Sequence, residues 1–490
     1  MEYILTSHEM KNLDFITIDE IGVPSVVLME KAAMGVIEAL NHSKASLDHI
    51  LIVCGTGNNG GDGIAIGRML SLSGKQVRIV LIGEEKKATK ETKRQIEIAK
   101  KYNVKIYNTF DNSEYNVIID ALFGIGVSRE IEGSYKDAIC YMNEAKGFKV
   151  AVDIPSGISA DTGKVMGSAF KADLTVAIAY KKLGHVLYPG ASYCNKIIVC
   201  DIGVYGADQI NAVVSFTKND LIKLPERFAY SNKGTYGKAL IIAGSVNMAG
   251  AAYLAAYAAY KTGCGLVRIV TPMENREILQ SLLPEAILST YQAQNLDLQM
   301  IKEAISWADV IDIGPGLGKS ETAKKILKLV LEKRECPLVI DADAINLMAK
   351  HQELWKENMK DVIITPHLKE MSGICQKEIE EIKENLIQTA TRLASLHKLV
   401  CVLKDTRTIV ADCDQLVYIN QSGNNGMAKA GAGDVLSGII TGLLAQNMEI
   451  FEGAALGVYI HGLSGDEAVQ KMGQYSILAR DIADSISSVI

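Results

Sequence analysis

The chain has 490 residues, of which 48% are apolar and 22% charged, and a net charge of -6. That length exceeds what one hydrophobic core usually serves, so two domains are expected, or three, and the composition excludes a disordered or fibrous chain. The acidic balance, with a pI near 5.9, offers no broad basic face to nucleic acid.

The first residues, MEYILTSHEMKNLDF, lack the basic-then-apolar pattern of a leader, and no uncharged apolar run approaches the roughly 18 residues of a membrane span. A cytoplasmic protein is expected, with neither membrane nor nucleic acid as partner. Nine cysteines without a C-x-x-C pair indicate neither disulfides nor zinc and read as small core residues. An amphipathic stretch from Ile18 to Leu40 predicts a helix. Apolar, β-branched runs then recur at 49–55, 76–83, 115–124, 149–157, 172–180 and 195–203, separated by helical patterns. Continuous apolar runs of this kind predict a parallel sheet covered on both faces.

In such sheets ligands bind beyond the carboxyl ends of the strands, so the residues after each run carry the functional signal. After the first run comes GTGNNGGDG, residues 55–63. Gly55, Gly57 and Gly60 satisfy G-x-G-x-x-G, and Glu84 and Glu85 follow the next run, so a dinucleotide fingerprint of an oxidoreductase is one reading. A tight turn with tolerant Asn and a capping Asp is another. Asn58, Asn59 and Asp62 exceed both needs and add side-chain oxygens able to bind a cation or orient a polar ligand. Two further strands end in carboxylates: Asp120 before ALFGIGVSR, and Asp153 before Ile154, Pro155, Ser156 and Gly157.

GTGNNGGDG, VIIDALFGIG and VAVDIPSGISADTG together resemble the NAD(P)H-hydrate epimerases across about residues 1–210. The resemblance implies a Rossmann-like three-layer α/β domain and a potassium ion held by Asn59, Asp120 and Ser156. It implies substrate contacts from Asn59, Gly60, Gly61, Asp62 and Gly63 and from Gly124, Ile125, Gly126, Val127, Ser128, Arg129 and Glu130. Asp153 would be the acid/base group. Some relatives of this fold serve only as binding or scaffold domains; the presence of both Asp120 and Asp153 favours an enzyme.

A second series of runs follows at 238–244, 265–271, 308–314, 337–343, 361–366 and 399–405, with two hairpin-like runs in TRTIVADCDQLVYIN. This predicts a second α/β domain over 220–490, joined near SFTKNDLIKLPERFAYSNKGTYG. Near its end NNGMAKAGAGDVLSG places four glycines, three alanines and Asp434 before an apolar helix. Bare backbone N–H groups at a helix start, with roughly half a positive charge from the helix dipole, suit an anion. A carboxylate in the first turn could then take a proton from a hydroxyl about to be phosphorylated. A small-residue packing seam explains the alanines as well, but not the glycines and Lys429 together.

The G-A-G-D signature resembles the ribokinase-like superfamily. GKALIIAGSVNMAG, DIGPGLG, VIDADAIN, TPHLKEM and the glycine loop together resemble its ADP- or ATP-dependent NAD(P)H-hydrate dehydratases. That resemblance implies substrate contacts from Ala239, Gly316, His367, Leu368, Lys369, Glu370, Met371, Ser372 and Gly373. The adenine nucleotide would lie against Lys404, Asp405, Thr406, Arg407 and Thr408. It would also meet Asn424, Asn425, Gly426, Met427, Ala428, Lys429, Ala430, Gly431, Ala432 and Gly433. Asp434 would be the catalytic base. His367 taken alone reads as a helix cap, and Asp341 and Asp343 as caps or as Mg²⁺ organisers.

The combined expectation is a bifunctional isomerase and lyase that repairs hydrated NADH and NADPH with K⁺, Mg²⁺ and ADP or ATP, ADP being suggested by the bacterial-type members. The resemblance also implies a homo-oligomer. A vitamin or sugar kinase fused to a regulatory domain is the competing expectation.

Overall fold

The computed structural model describes residues 1–490, with every cysteine a free thiol. The chain divides into two units, Tyr3–Ala212 and Val213–Ile490, the latter joined by Met1–Glu2.

In the first unit the strands are β1 (Glu2–Leu5), β2 (His49–Cys54), β3 (Gln76–Leu81), β4 (Ile106–Tyr107), β5 (Val117–Ala121), β6 (Phe148–Val152), β7 (Leu174–Ile178), β8 (Lys181–Lys182) and β9 (Lys196–Cys200). Seven of them form a wholly parallel sheet in the order β4-β3-β2-β5-β6-β7-β9. One face packs Ile50, Ile52, Ile119 and Val152 against Val36, Ile66 and Ile96 from the helices Ser25–Asn41, Asn58–Leu72 and Lys90–Lys101. The other packs Leu51, Val53 and Ile118 against Ala138 and Met142 from Gly133–Glu144. Burial on both faces is why these strands read as unbroken apolar runs.

The helix expected over Ile18–Leu40 is not continuous. A π-helical turn spans Ile16–Glu20, and Gly22 (φ 90°) and Pro24 then reset the chain before Ser25–Asn41. Pro24 disfavours helical backbone at the residue before it, which breaks an otherwise periodic pattern.

The second unit contains β10 (Val213–Ser215), β11 (Lys238–Ile242), β12 (Leu266–Pro272), β13 (Ile287–Tyr291), β14 (Val310–Ile313), β15 (Leu338–Ile340), β16 (Val362–Ile364), β17 (Val400–Leu403), β18 (Ile409–Ala411) and β19 (Val417–Ile419). Their order is β13-β12-β11-β14-β15-β16-β17-β18-β19-β10, parallel except for the hairpin steps on either side of β18. One face packs Ile241, Ile269, Val339 and Ile363 against the helices Ala249–Lys261, Ala432–Ala445 and Ile450–Met472.

The first two of these helices touch closely. An ideal β-carbon on Gly438 would stand 2.2 Å from the Ala255 carbonyl oxygen, and one on Gly442 would stand 2.7 Å from that of Ala259. Small residues inside Ala432–Ala445 therefore serve packing, whereas Ala428, Lys429 and Ala430 before it are exposed.

Candidate active sites

The first candidate site is a cavity of about 530 Å³ at the carboxyl ends of β2, β5, β6 and β7, lined among others by Asn59, Asp62, Gly124, Asp153 and Lys182. Asp153 follows β6 in a left-handed conformation, φ 66°. Its Oδ1 lies 2.5 Å from Lys182 Nζ, and Lys182 is 1% exposed. A β-carbon on Gly124 would stand 3.2 Å from Asp153 Oδ2 and 3.4 Å from Asn59 Cβ, so glycine lets these three residues meet.

Asp120 is fully buried and accepts from Ser156 N–H at 2.8 Å, Ser156 Oγ–H at 2.7 Å and Leu122 N–H at 3.1 Å. Burial lifts its carboxyl to about 6 against these hydrogen bonds. Both amide atoms of Asn59 are buried without a hydrogen-bond partner, a costly state that a bound group facing the amide would relieve. Oxygen donors dominate around them, the chemistry a hard cation requires.

Two more carboxyls reach this cavity. Burial lifts Asp14, from the helix Ser7–Phe15, to about 6, with Lys182 opposing and Asp153 assisting. Asp62 is pushed well above its usual range by burial and then by Asp153 and Asp14.

The glycines of 59–63 serve the protein itself. A β-carbon on Gly60 would fall 1.8 Å from Gly55 O, one on Gly61 2.7 Å from Met29 Cε, and one on Gly63 2.4 Å from Ala121 Cβ. Of that stretch, Asn59 and Asp62 present side chains to the cavity. Residues 126–130 line a neighbouring cavity of about 470 Å³ with Thr56 and Tyr135. Glu84 and Glu85 sit in exposed ion pairs with Lys87 and Lys100.

The second candidate site lies where β14 to β17 end and the helix Ala432–Ala445 begins. Lys404 Nζ donates to Asp341 Oδ1 at 2.7 Å, and Thr365 Oγ1 donates to the same oxygen at 2.5 Å. Asp341 opens the helix Ala342–Lys350 without a side-chain capping bond, so its carboxylate answers to Lys404. Asp343 Oδ2 accepts from Gly318 N–H at 2.9 Å. Burial works against the Lys404 charge, but Asp341 and Glu370 outweigh it and raise the ammonium above its usual range.

Asp434 sits in the first turn, half-buried. Burial lifts its carboxyl to about 7, Asp341 and Asp343 adding and Lys404 opposing. Glu370 is lifted to about 7, again chiefly by burial. Gly431, φ 90°, supplies the left-handed step into the helix, and a β-carbon there would meet Leu254 Cδ1 at 2.6 Å. A β-carbon on Gly433 would stand 3.5 Å from Lys404 Nζ. No protein acceptor takes the N–H of Ala430, Gly431, Gly433 or Asp434, leaving donors for an anion at a positive helix end. The loop is tethered behind: Asp466 accepts from Gly423 N–H and Asn424 Nδ2, and Lys429 Nζ donates to Tyr475 O.

His367 caps Leu368–Cys375, its Nδ1 accepting from Lys369 and Glu370 N–H at 3.1 Å. Not every expected contact converges here. Ala239 is fully buried near the start of β11, the end away from Gly244, and packs in the core. Met371 is buried, Ser372 bonds to Lys377 O, and Gly373 faces Ala349, so that helix leads away from Lys404. Gly316 is buried against Met248 and Ala251. Asp405 and Thr406 are exposed, and Arg407 donates to Gln421 O.

A family model described as NAD(P)H-hydrate dehydratase matches residues 239–488, and one described as YjeF-related protein N-terminus matches 25–184. A bifunctional NAD(P)H-hydrate repair enzyme of Moorella thermoacetica is 35% identical over 100% of this chain and 96% of its own. That of Coxiella burnetii is 34% identical, with 98% of each chain covered. The chain belongs to the bifunctional NAD(P)H-hydrate repair enzymes.

Among solved structures, the ADP/ATP-dependent NAD(P)H-hydrate dehydratase of Bacillus subtilis co-crystallised with ATP and Mg²⁺ is similar at 30% identity and a TM-score of 0.50. It covers 56% of this chain and 97% of that one. A ribokinase-like protein of Enterococcus faecalis is similar at 30% identity and a TM-score of 0.51, covering 56% and 94%. The second unit of this repair enzyme is ribokinase-like.

Sequence reading missed Lys182, Asp14 and Asp312. Lys182 stands in a plain KK pair after β7, and Asp14 on a helix far from any glycine motif. Asp312 is fully buried inside β14, with no well-formed hydrogen bond on either carboxyl oxygen although the Ser437 hydroxyl lies close enough to favour its charge. Burial and Asp341 push it well above its usual range, and an acidic residue inside the run VIDI was its only signal.

Proposed function

We propose that the first unit interconverts the R and S hydrates of NADH and NADPH, and that the second dehydrates the S hydrate with ADP or ATP as phosphoryl donor. The observation that carries the second half is Asp434, a carboxyl lifted to about 7 beside unpaired N–H groups of a bare loop. Such a group can take the proton of a hydroxyl near neutral pH while phosphate is held alongside. Hydroxide leaves poorly; phosphorylated, the same oxygen leaves as phosphate, expelled by the ring nitrogen's lone pair, and loss of a proton from the adjacent ring carbon then restores the dihydronicotinamide.

Ala428, Lys429, Ala430, Gly431, Ala432 and Gly433 would hold the nucleotide's phosphates, and Lys404 would steady the negative charge around them. Asp341, Asp343 and Asp434 would help hold Mg²⁺ together with the nucleotide's phosphates, where the ion would supply positive charge against the clustered phosphate oxygens.

In the first unit, inversion at the hydroxyl-bearing carbon needs loss and return of the hydroxyl, assisted by Asp153. Asn59, Asp120 and Ser156 would hold K⁺, which the unpaired Asn59 amide supports. The bound ion would supply positive charge beside the substrate's phosphates. Cytoplasmic localisation and homo-oligomeric assembly belong to the same reading.

The test is stoichiometry. Dehydration releases one inorganic phosphate for each dihydronicotinamide recovered. A vitamin or sugar kinase would instead accumulate a stable phosphorylated product, and that outcome would displace the proposal.

A further inference from the structure

The left-handed backbone of Asp153 is one that a residue with a β-carbon keeps only where its surroundings enforce it. Here a ring of contacts from about thirty residues downstream surrounds it. Lys182 Nζ donates to Asp153 Oδ1 at 2.5 Å and to Ile178 O at 2.7 Å. Lys182 N–H donates to His185 Nδ1 at 2.8 Å, which places the imidazole proton on Nε2, where it is donated to Asp153 O at 2.7 Å. Lys182 and His185 are each 1% exposed.

The carboxyl is held asymmetrically. Its hydrogen bonds, including one from Ile178 N–H at 3.3 Å, all fall on Oδ1. Oδ2 accepts none, and it faces Gly124 and the cavity. A buried lysine is rare unless paired, and desolvating both charges makes such a pair a poor stabiliser compared with apolar packing. Its directional bond to one oxygen is what an apolar side chain could not supply.

We propose that Lys182 is a positioning residue of the epimerase site, gripping Asp153 through Oδ1 so that Oδ2 is the oxygen that exchanges a proton with the substrate. The inference rests on the reading of Asp153 as the acid/base group. His185 completes the device by tying the main chains of both residues, and Lys182 is the buried cation beside the cavity's Asp14, Asp62 and Asp153.

The experiment measures R-to-S conversion of hydrated NADH by the full-length chain. Lys182→Met is expected to lower kcat about 100-fold while KM stays within about threefold, since orientation rather than binding is lost. Lys182→Arg, which keeps a charged donor, is expected to retain at least about a tenth of the original kcat. Lys182→Ala is expected to regain at least about tenfold in kcat on adding propylammonium ion, and no gain on adding propanol.

Asp153→Asn separates the two claims. If that variant remains active, the acid/base reading itself fails. If it is inactive but Lys182→Met turns over within threefold of the wild type, or loses only KM, the positioning role is overturned. Should Lys182→Met fail to fold, the alanine variant decides: absence of propylammonium rescue overturns the role, and rescue supports it.

Discussion

Asp434→Asn should make the second unit more stable as it becomes inactive. The wild-type carboxyl titrates near 7 in the folded chain, against 3.8 for an unperturbed aspartate. At 1.36 kcal/mol per unit this is about 4 kcal/mol of penalty once the group is ionised, and its partial exposure reduces that to about 2 to 4 kcal/mol. The sign follows from the raised value. Below about pH 4 the group is neutral in folded and unfolded chains and the penalty is absent. It grows as pH rises through 4 to 7 and is complete above 7.

The asparagine variant should therefore match the wild type near pH 4 and exceed it by about 2 to 4 kcal/mol at pH 8. Both tryptophans, Trp307 and Trp355, lie in the second unit, so urea unfolding followed by tryptophan fluorescence reads that unit alone. In parallel, dehydration should fall by about 10² to 10⁴, and wild-type turnover should climb as pH rises through about 7. A stability difference that does not change with pH, or a variant that still dehydrates, would refute the assignment of Asp434 as a buried base.

Three other changes probe the two sites. Lys404→Met leaves the Asp341 carboxylate, 1% exposed, without its cation, and should cost the second unit about 3 to 5 kcal/mol in the same fluorescence titration at pH 7. Asn59→Ala should abolish the advantage of potassium over choline chloride in the initial rate of epimerisation. Gly60→Ala would put a β-carbon 1.8 Å from Gly55 O, so epimerisation should drop at least about tenfold while dehydration of pure S hydrate by the same chain is unchanged.

Most strands of both sheets were legible because burial on two faces demands unbroken β-branched runs. The short strands β4 and β10 carry too few residues to make such a run, and β13 escaped notice since Ser289 and Thr290 interrupt ILSTY at the sheet's edge. Loop residues after strands were legible for a topological reason: Asn59, Asp120, Asp153 and Gly316 all follow or close a strand at its carboxyl end. Asp14 and Lys182 reach the same cavity from segments 168 residues apart in the numbering, a juxtaposition that no local pattern encodes. Ala239 was expected at the substrate through resemblance, but a parallel strand's first turnings lie away from the ligand end, and its methyl is in the core. The glycines of 59–63 read as ligand-facing, whereas the close approach of Gly60 to the Gly55 carbonyl and of Gly63 to Ala121 shows that packing against the sheet already requires those two.

The most direct measurement supplies mixed R and S hydrates of NADH with ADP or ATP, Mg²⁺ and K⁺, and follows the dihydronicotinamide absorbance at about 340 nm. The wild-type chain should recover both epimers in full, Asp153→Asn only what was S at the start plus its slow spontaneous replenishment, and Asp434→Asn essentially neither. Recovery that proceeds without nucleotide, or that Asp434→Asn leaves intact, would contradict the two-site account.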